Sequence, residues 1–215
     1  MNRRLGPSRF LVLLAGLLLA AFAVPAWAHP HVFVTARSEV VFSPEGTITG
    51  VRHFWSFDEA YSSYVTQGLD KNADGKLTPD ELLDLAKENT ESLVDFDYFT
   101  FVKVNGRKQA FGTPRDPAMA YENERVVLSF FLPLAKPVPA SSIFAVEVTD
   151  PTFFVYFEMS PNKDAVKLAS APAGCSLTVA KAVGLDMSQQ QAMADNTFPI
   201  PSGEQYSNKA IVTCP

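Results

Sequence analysis

Histidine and cysteine are scarce, with three of the first and two of the second among 215 residues. A multi-cysteine zinc module is therefore excluded. A Ser-His-Asp hydrolase would have to draw on His29, His31 or His53, and no nucleophile-elbow motif accompanies them. Positive charge is not in excess either: 18 lysines and arginines against 23 acids give a formal charge of -5. That balance leaves no electrostatic footprint for nucleic acid. Beyond residue 28 no apolar run approaches the roughly 18 to 20 residues that span a bilayer, and no internal repeat or long low-complexity tract occurs.

The first 28 residues have the order of a cleavable secretory signal. Arg3, Arg4 and Arg9 precede an apolar run from Phe10 to Val24, and Ala26-Trp27-Ala28 offers small-x-small cleavage chemistry. Cleavage after Ala28 is expected, in preference to an uncleaved anchor helix. It would leave residues 29–215 as a single periplasmic or secreted domain of 187 residues without a membrane anchor. Losing three arginines moves the formal charge to -8. In an oxidising compartment Cys175 and Cys214 are expected to form one disulfide closing a 175–214 segment, a metal-thiolate pair being the lesser alternative.

The periodicity of the mature chain is mainly that of short strands. His31 to Phe42 and Thr47 to Phe57 alternate apolar and polar residues around Ser43-Pro44-Glu45-Gly46, a hairpin signal. A four-residue turn there pairs Phe42 with Thr47 and His31 with Asp58. It places Val32, Val34, Trp55 and Phe57 on one apolar face and His31, Thr35, Ser56 and Asp58 on the other. Helical spacing follows over Asp58 to Leu69 and again over Pro79 to Val94. Strands resume at Tyr98 to Val104, the Asn105-Gly106 turn, Lys108 to Phe111, Arg125 to Leu132, Ile143 to Thr149 and Phe153 to Glu158. Beyond Cys175 the pattern is polar and irregular. The expectation is a mainly β fold: an antiparallel Ig-like sandwich carrying an inserted EF-hand-like helix-loop-helix over 58–94.

The strongest motif is Asp70-Lys71-Asn72-Ala73-Asp74-Gly75-Lys76-Leu77-Thr78-Pro79-Asp80-Glu81, which satisfies every fixed position of the twelve-residue calcium loop. Asp70, Asn72 and Asp74 supply side-chain oxygens and Lys76 a carbonyl. Thr78 supplies a hydroxyl or a water bridge, and Glu81 both carboxylate oxygens, around the turn that Gly75 permits. An acidic turn that binds nothing is the alternative. Three charged ligands in a single loop imply weak binding, roughly 0.1 to 1 mM, and a structural role.

A second metal site is expected at the processed N-terminus. Cleavage would give His29 a free amine beside its imidazole, with His31 two residues on and Asp58, or Glu59 if a bulge intervenes, across the hairpin. Two solvated imidazoles on a flexible terminus are the alternative. His53 falls opposite Ala36 in this register and reads as structural.

Taken together, His29-Pro30-His31-Val32-Phe33 after a signal, Trp55-Ser56-Phe57-Asp58-Glu59, the calcium-type loop, Asp95-Phe96-Asp97-Tyr98-Phe99 and Asp150-Pro151-Thr152-Phe153-Phe154 resemble one bacterial periplasmic family, domain of unknown function 1007. Its members are labelled as the periplasmic component of an uncharacterised ABC-type transport system and are associated with nickel, cobalt or zinc transport. The resemblance covers nearly the whole mature chain and implies handling of a transition metal outside the cytoplasm. It adds Asp150 as a candidate ligand, a turn cap before Pro151 being an equal reading.

The expectation is thus a non-enzymatic accessory protein. It binds calcium and a divalent transition metal (nickel, cobalt, zinc or copper), and its partner is an inner-membrane metal transporter. Two other classes compete: a copper histidine-brace redox enzyme, which needs another imidazole near His29, and a calcium-rigidified envelope interaction module.

Overall fold

The computed structural model describes residues 32–162, 164–181 and 208–215. The expected metal ligands His29 and His31 therefore lie outside the described residues, as does the expected signal segment over residues 1–28. Among the described residues the fold is mainly β, with two sheets and two α-helices. No described helix is long and apolar enough to cross a membrane.

The chain opens with the hairpin of β1 (Val32–Phe42) and β2 (Thr47–Phe57). Alternate residues are buried along β1, and along β2 on either side of a slip at Gly50 and Val51, and Val34, Ala36, Trp55 and Phe57 share the inner face. The register differs from the four-residue-turn expectation. Val34, not Val32, stands opposite Phe57, and His53 stands opposite Ser38, not Ala36. Thr47, the first residue of β2, closes the turn with its backbone carbonyl accepting from Ser43 N–H, and Thr49 is bulged out between the pairs Phe42–Ile48 and Val41–Gly50. Two extra residues on β2 shift the partners by two, so the faces stay correctly sorted although every pair is wrong. Gly50 follows the bulge because the backbone of the neighbouring strand crosses there. A Cβ at Gly50 would meet Pro133 Cα and the Phe131 ring at 2.8 Å.

Two helices follow, α1 (Glu59–Val65) and α2 (Pro79–Ser92), then a 3₁₀ segment over Leu93–Phe99. The sequence expectation ran α1 to Leu69, but it ends at Thr66, before Gly68 at φ +76°. Helix α2 starts on Pro79 with a capping box between Thr78 and Glu81, and buries Leu82, Ala86 and Thr90 at i, i+4, i+8 against the first sheet.

The remaining strands are β3 (Thr100–Val104), β4 (Arg107–Lys108), β5 (Arg115–Glu122), β6 (Arg125–Pro139), β7 (Phe144–Val148), β8 (Val155–Met159), β9 (Val166–Ala169), β10 (Ser176–Ala180) and β11 (Asn208–Thr213). The first sheet runs β5-β6-β2-β1, with β8 and then β9 pairing in parallel along the outer edge of β1. The second runs β10-β11-β7-β3-β4 and is antiparallel. The irregular tail expected beyond Cys175 is regular at both of its described ends. The residues flanking the Cys175–Cys214 disulfide are a strand pair, β10 against β11, continuous with the second sheet.

One face of the first sheet is covered twice. Toward one end Val40, Phe42, Ile48 and Val51 pack against Val102, Phe144, Val146 and Val212 of the second sheet. Toward the other, Val34, Ala36, Trp55, Phe57 and Leu128 pack against Leu82, Ala86 and Leu93 of the helical segment. The inserted helices thus occupy the part of the sheet that the second sheet leaves uncovered.

Candidate functional site

The twelve-residue loop 70–81 is folded around its own oxygens. Asp70 Oδ1 accepts from Asp74 N–H at 3.2 Å and Oδ2 from Gly75 N–H at 2.9 Å. Asn72 Oδ1 accepts from Asp74 N–H at 3.0 Å, and Asp74 Oδ1 from Lys76 N–H at 2.8 Å. Glu81 reaches back from the first turn of α2 across the loop, its Oε1 accepting from Lys71 N–H at 3.0 Å and its Oε2 from Thr78 N–H at 3.0 Å and Thr78 Oγ1 at 2.8 Å. The two ends of the loop are thereby joined. The hydrogen bonds from Thr78, then that from Lys71, hold the Glu81 carboxyl below its ordinary pKa.

Backbone conformation reinforces the curl. Gly75 sits at φ +78°, where a Cβ is disfavoured, and Ala73 is held at φ +56°. Leu69 and Leu77 anchor both sides of the loop in the helix-side core. Every donor atom is oxygen, the chemistry that suits a hard cation. No three histidine, cysteine, aspartate or glutamate side chains converge on a common point among the described residues.

The carboxylates expected to join the N-terminal histidines are brought to one end of β1. Asp58 stands opposite Phe33: its N–H donates to the Phe33 carbonyl, and its Oδ2 accepts from Phe33 N–H at 2.8 Å. Its Oδ1 accepts from Tyr61 N–H at 2.9 Å, which makes it the N-cap of α1. Burial, with the nearby Asp58 charge, pushes the Tyr61 phenol above its ordinary pKa. Glu59 is exposed and pairs with Arg125 at 3.1 Å, a surface pair of small energetic weight. On the other flank, Asp150 is only 5% exposed, its Oδ1 accepting from Thr152 N–H and Oγ1 and its Oδ2 from Val155 N–H. Val155 in turn faces Val32 in the parallel pair β1–β8. Asp58 and Asp150 therefore flank the point where the chain arrives from His31, and every one of their carboxylate oxygens already serves a backbone amide.

His53 lies elsewhere. It is fully buried between the two core clusters, with Ser38 Oγ 3.1 Å from Nδ1 and Thr100 Oγ1 3.2 Å from Nε2. The Thr100 hydroxyl donates to the Tyr98 carbonyl at 2.8 Å, so it can only accept from the imidazole. That assigns the proton to Nε2 and makes Ser38 the donor to Nδ1. Burial alone pushes the His53 pKa down to about 3. The residue is a neutral tie between the two sheets, with both ring nitrogens spoken for.

A feature the sequence reading missed lies beside Asp150: an apolar cavity walled in part by Trp55 and Phe57 and rimmed by Phe96 and Phe154. The aromatic runs around Phe57, Phe96 and Phe154 were its only trace in the sequence.

The model of the family "Protein of unknown function (DUF1007)" matches residues 14–214. An "Uncharacterized 15.5 kDa protein in trpE 3'region" from Spirochaeta aurantia is 32% identical over 85 residues, 40% of this chain. The chain spans 61% of the length of that relative.

Proposed function

The chain belongs to the DUF1007 family of unknown function, and we propose that it is an exported metal-binding accessory protein. In this reading residues 70–81 hold a structural calcium ion within an EF-hand-like insertion on an Ig-like sandwich. The processed N-terminus captures a divalent transition metal in support of its transport or homeostasis. The observation that carries the calcium part is the closed loop, in which Glu81 reaches back to Lys71 while Asp70, Asn72 and Asp74 turn their oxygens inward. Calcium would take these oxygens in place of the amide donors they now serve, the carboxylates drawing together on binding.

The transition-metal part rests on His29 and His31 and is supported by the position of Asp58 and Asp150 on either side of the β1 start. Because both carboxylates cap backbone amides, the amine and imidazole of His29 and the imidazole of His31 carry most of the expected affinity. The partner proposed is an inner-membrane metal transporter. The histidine-brace reading is disfavoured by His53, which is buried in the core with both nitrogens hydrogen-bonded.

Calcium is tested by thermal melting of the protein with and without millimolar calcium, beside Glu81→Gln. A ligand present at ten times its Kd and binding only the native state adds about 1.4 kcal/mol. The wild type should gain that stability and Glu81→Gln most of it should lose. An unchanged melting temperature in the wild type would refute the site. For the second metal, calorimetric titration of nickel, zinc and copper into calcium-saturated protein, a form with one glycine added before His29, and His31→Ala should give one tight site in the first alone. Equal affinity in all three would exclude amine coordination.

A further inference from the structure

Beside α2 and the 3₁₀ segment that follows it run two open troughs, of about 340 and 460 Å³, which meet at Val94 and Tyr98. Their other wall is the chain from Lys108 to Pro117, which presents Phe111, Pro114 and Pro117. Val94 is 56% exposed, an apolar side chain left open to solvent where the two troughs join. The divider is a strained turn. Asp97, Tyr98 and Phe99 lie consecutively in the left-handed region, at φ 52°, 56° and 45°, which non-glycine residues seldom occupy. With the chain so turned, the Tyr98 ring stands edge-on to Phe111, centroids 5.9 Å apart and 84° between planes.

Charge decides what fits such a surface. Over residues 58–97 eleven acids stand against three lysines, a formal charge of -8, which is the whole charge of residues 29–215. The remainder of that chain is balanced. The troughs themselves hold Glu91 and Lys87 in the first and the pair Asp97–Lys108, at 3.6 Å, in the second. The sign is therefore set just outside them, where Asp84 and Glu88 continue the line of Glu91 along the exposed side of α2 and Asp95 follows. None of these four acids belongs to an ion pair among the described residues. Like charges at this spacing oppose the helix, with Lys87 the single cation among them.

The far wall restricts how a chain could lie there. Pro114 and Pro117 have no N–H, so an incoming strand gains no regular ladder along the start of β5 and has to be held through its side chains. The protein does not supply the counterpart itself. Residues 182–207 contain three acids and no lysine or arginine, and Arg3, Arg4 and Arg9 fall in the expected signal segment.

We propose that the joined troughs dock an extended segment of a partner protein in which lysines or arginines are interleaved with apolar residues. The apolar side chains seat against Val94, Tyr98, Phe111 and Pro114, and the cations meet Glu91 and the acids along α2. The surface is separate from the metal sites proposed above.

The test pans a displayed library of random dodecapeptides on the immobilised full chain in millimolar calcium, with Val94→Arg as the counter-target, and then measures selected peptides by fluorescence anisotropy. Val94 and Glu91 are both exposed, and circular dichroism checks that their variants keep the fold. Selected sequences should carry two or more lysines or arginines among apolar residues. Their affinity should fall about 10-fold or more in Val94→Arg and likewise in Glu91→Lys, and it should weaken as ionic strength rises. Glu45→Gln combined with Glu158→Gln, which removes two acids that line neither trough, should leave it unchanged. No enrichment over Val94→Arg, or peptides that bind it as well as the wild type, would overturn the docking site. Uncharged or acidic selected sequences would overturn the chemistry given to the partner. A dimer in light scattering that Glu91→Lys dissociates would assign the troughs to a second copy of the chain and overturn the proposal as well.

Discussion

Acid should unfold this protein partly through His53. In the native state the imidazole accepts a proton only near pH 3, because burial excludes the charged form. An unfolded histidine accepts one near 6.5. The unfolded state therefore binds more protons between those values, and the stability conferred by the neutral imidazole is complete above about pH 6.5 and is lost as the pH falls toward 3. The slope is about 1.4 kcal/mol per pH unit, amounting to about 2 kcal/mol by pH 5 and about 3 kcal/mol by pH 4. Urea unfolding from pH 7.5 to 4, in the wild type and in His53→Gln, isolates this contribution from the carboxylates that both share. At pH 7.5 His53→Gln should be the less stable by about 1 to 3 kcal/mol, since one of its two hydroxyl partners is left unmatched. As the pH falls the gap should close and then reverse. Parallel curves in the two proteins from pH 6.5 to 4.5 would refute both the burial argument and the neutral tautomer.

Gly50→Ala should cost about 2 kcal/mol or more in urea unfolding, because the added carbon meets the backbone of β6 at Leu132 and Pro133 as well as the Phe131 ring. Replacing Cys175 and Cys214 together by serine should cost about 3 to 4 kcal/mol for a loop of sequence separation 39, and hydrogen exchange should quicken first in β10 and β11. Asp150→Asn should lower the melting temperature more than Glu59→Gln does. The first turns one of the two accepting oxygens of a buried carboxylate into an amide NH2 that faces a backbone N–H, whereas the second removes one exposed ion pair.

What could be read from the residues was whatever depends on near neighbours in the chain. The face sorting of the hairpin follows from alternation, and the start of α2 from Thr78-Pro79-Asp80-Glu81. The pairing of Cys175 with Cys214 follows from there being no other cysteine. Register was not legible, since it turns on one extra residue at the turn and a bulge at Thr49, which together restore the face sorting that either alone would invert. The long course of β6 was hidden by Pro133, Pro137 and Pro139, which read as breaks. Pro133 instead stands opposite Gly50, where the β2–β6 register shifts. Strand β5 lacks a clean apolar alternation, because most of its side chains are exposed. The environment of His53 and the unmatched indole of Trp55 depend on how two sheets and a helix pair meet, which no local pattern encodes.

The parallel pairing of β1 with β8 and β9 bears on how the molecule can be made. The first strand to leave a ribosome or a translocation channel finds β2 at once, but its other side waits for Val155 to Met159 and Val166 to Ala169 from far along the chain. Pairings of such long sequence separation slow folding, and an unsatisfied strand edge is prone to association with other chains while it waits. Two late segments, β8 and β9, therefore seal β1, so a truncation after β7 should yield an aggregating hairpin-bearing fragment and not a smaller stable domain.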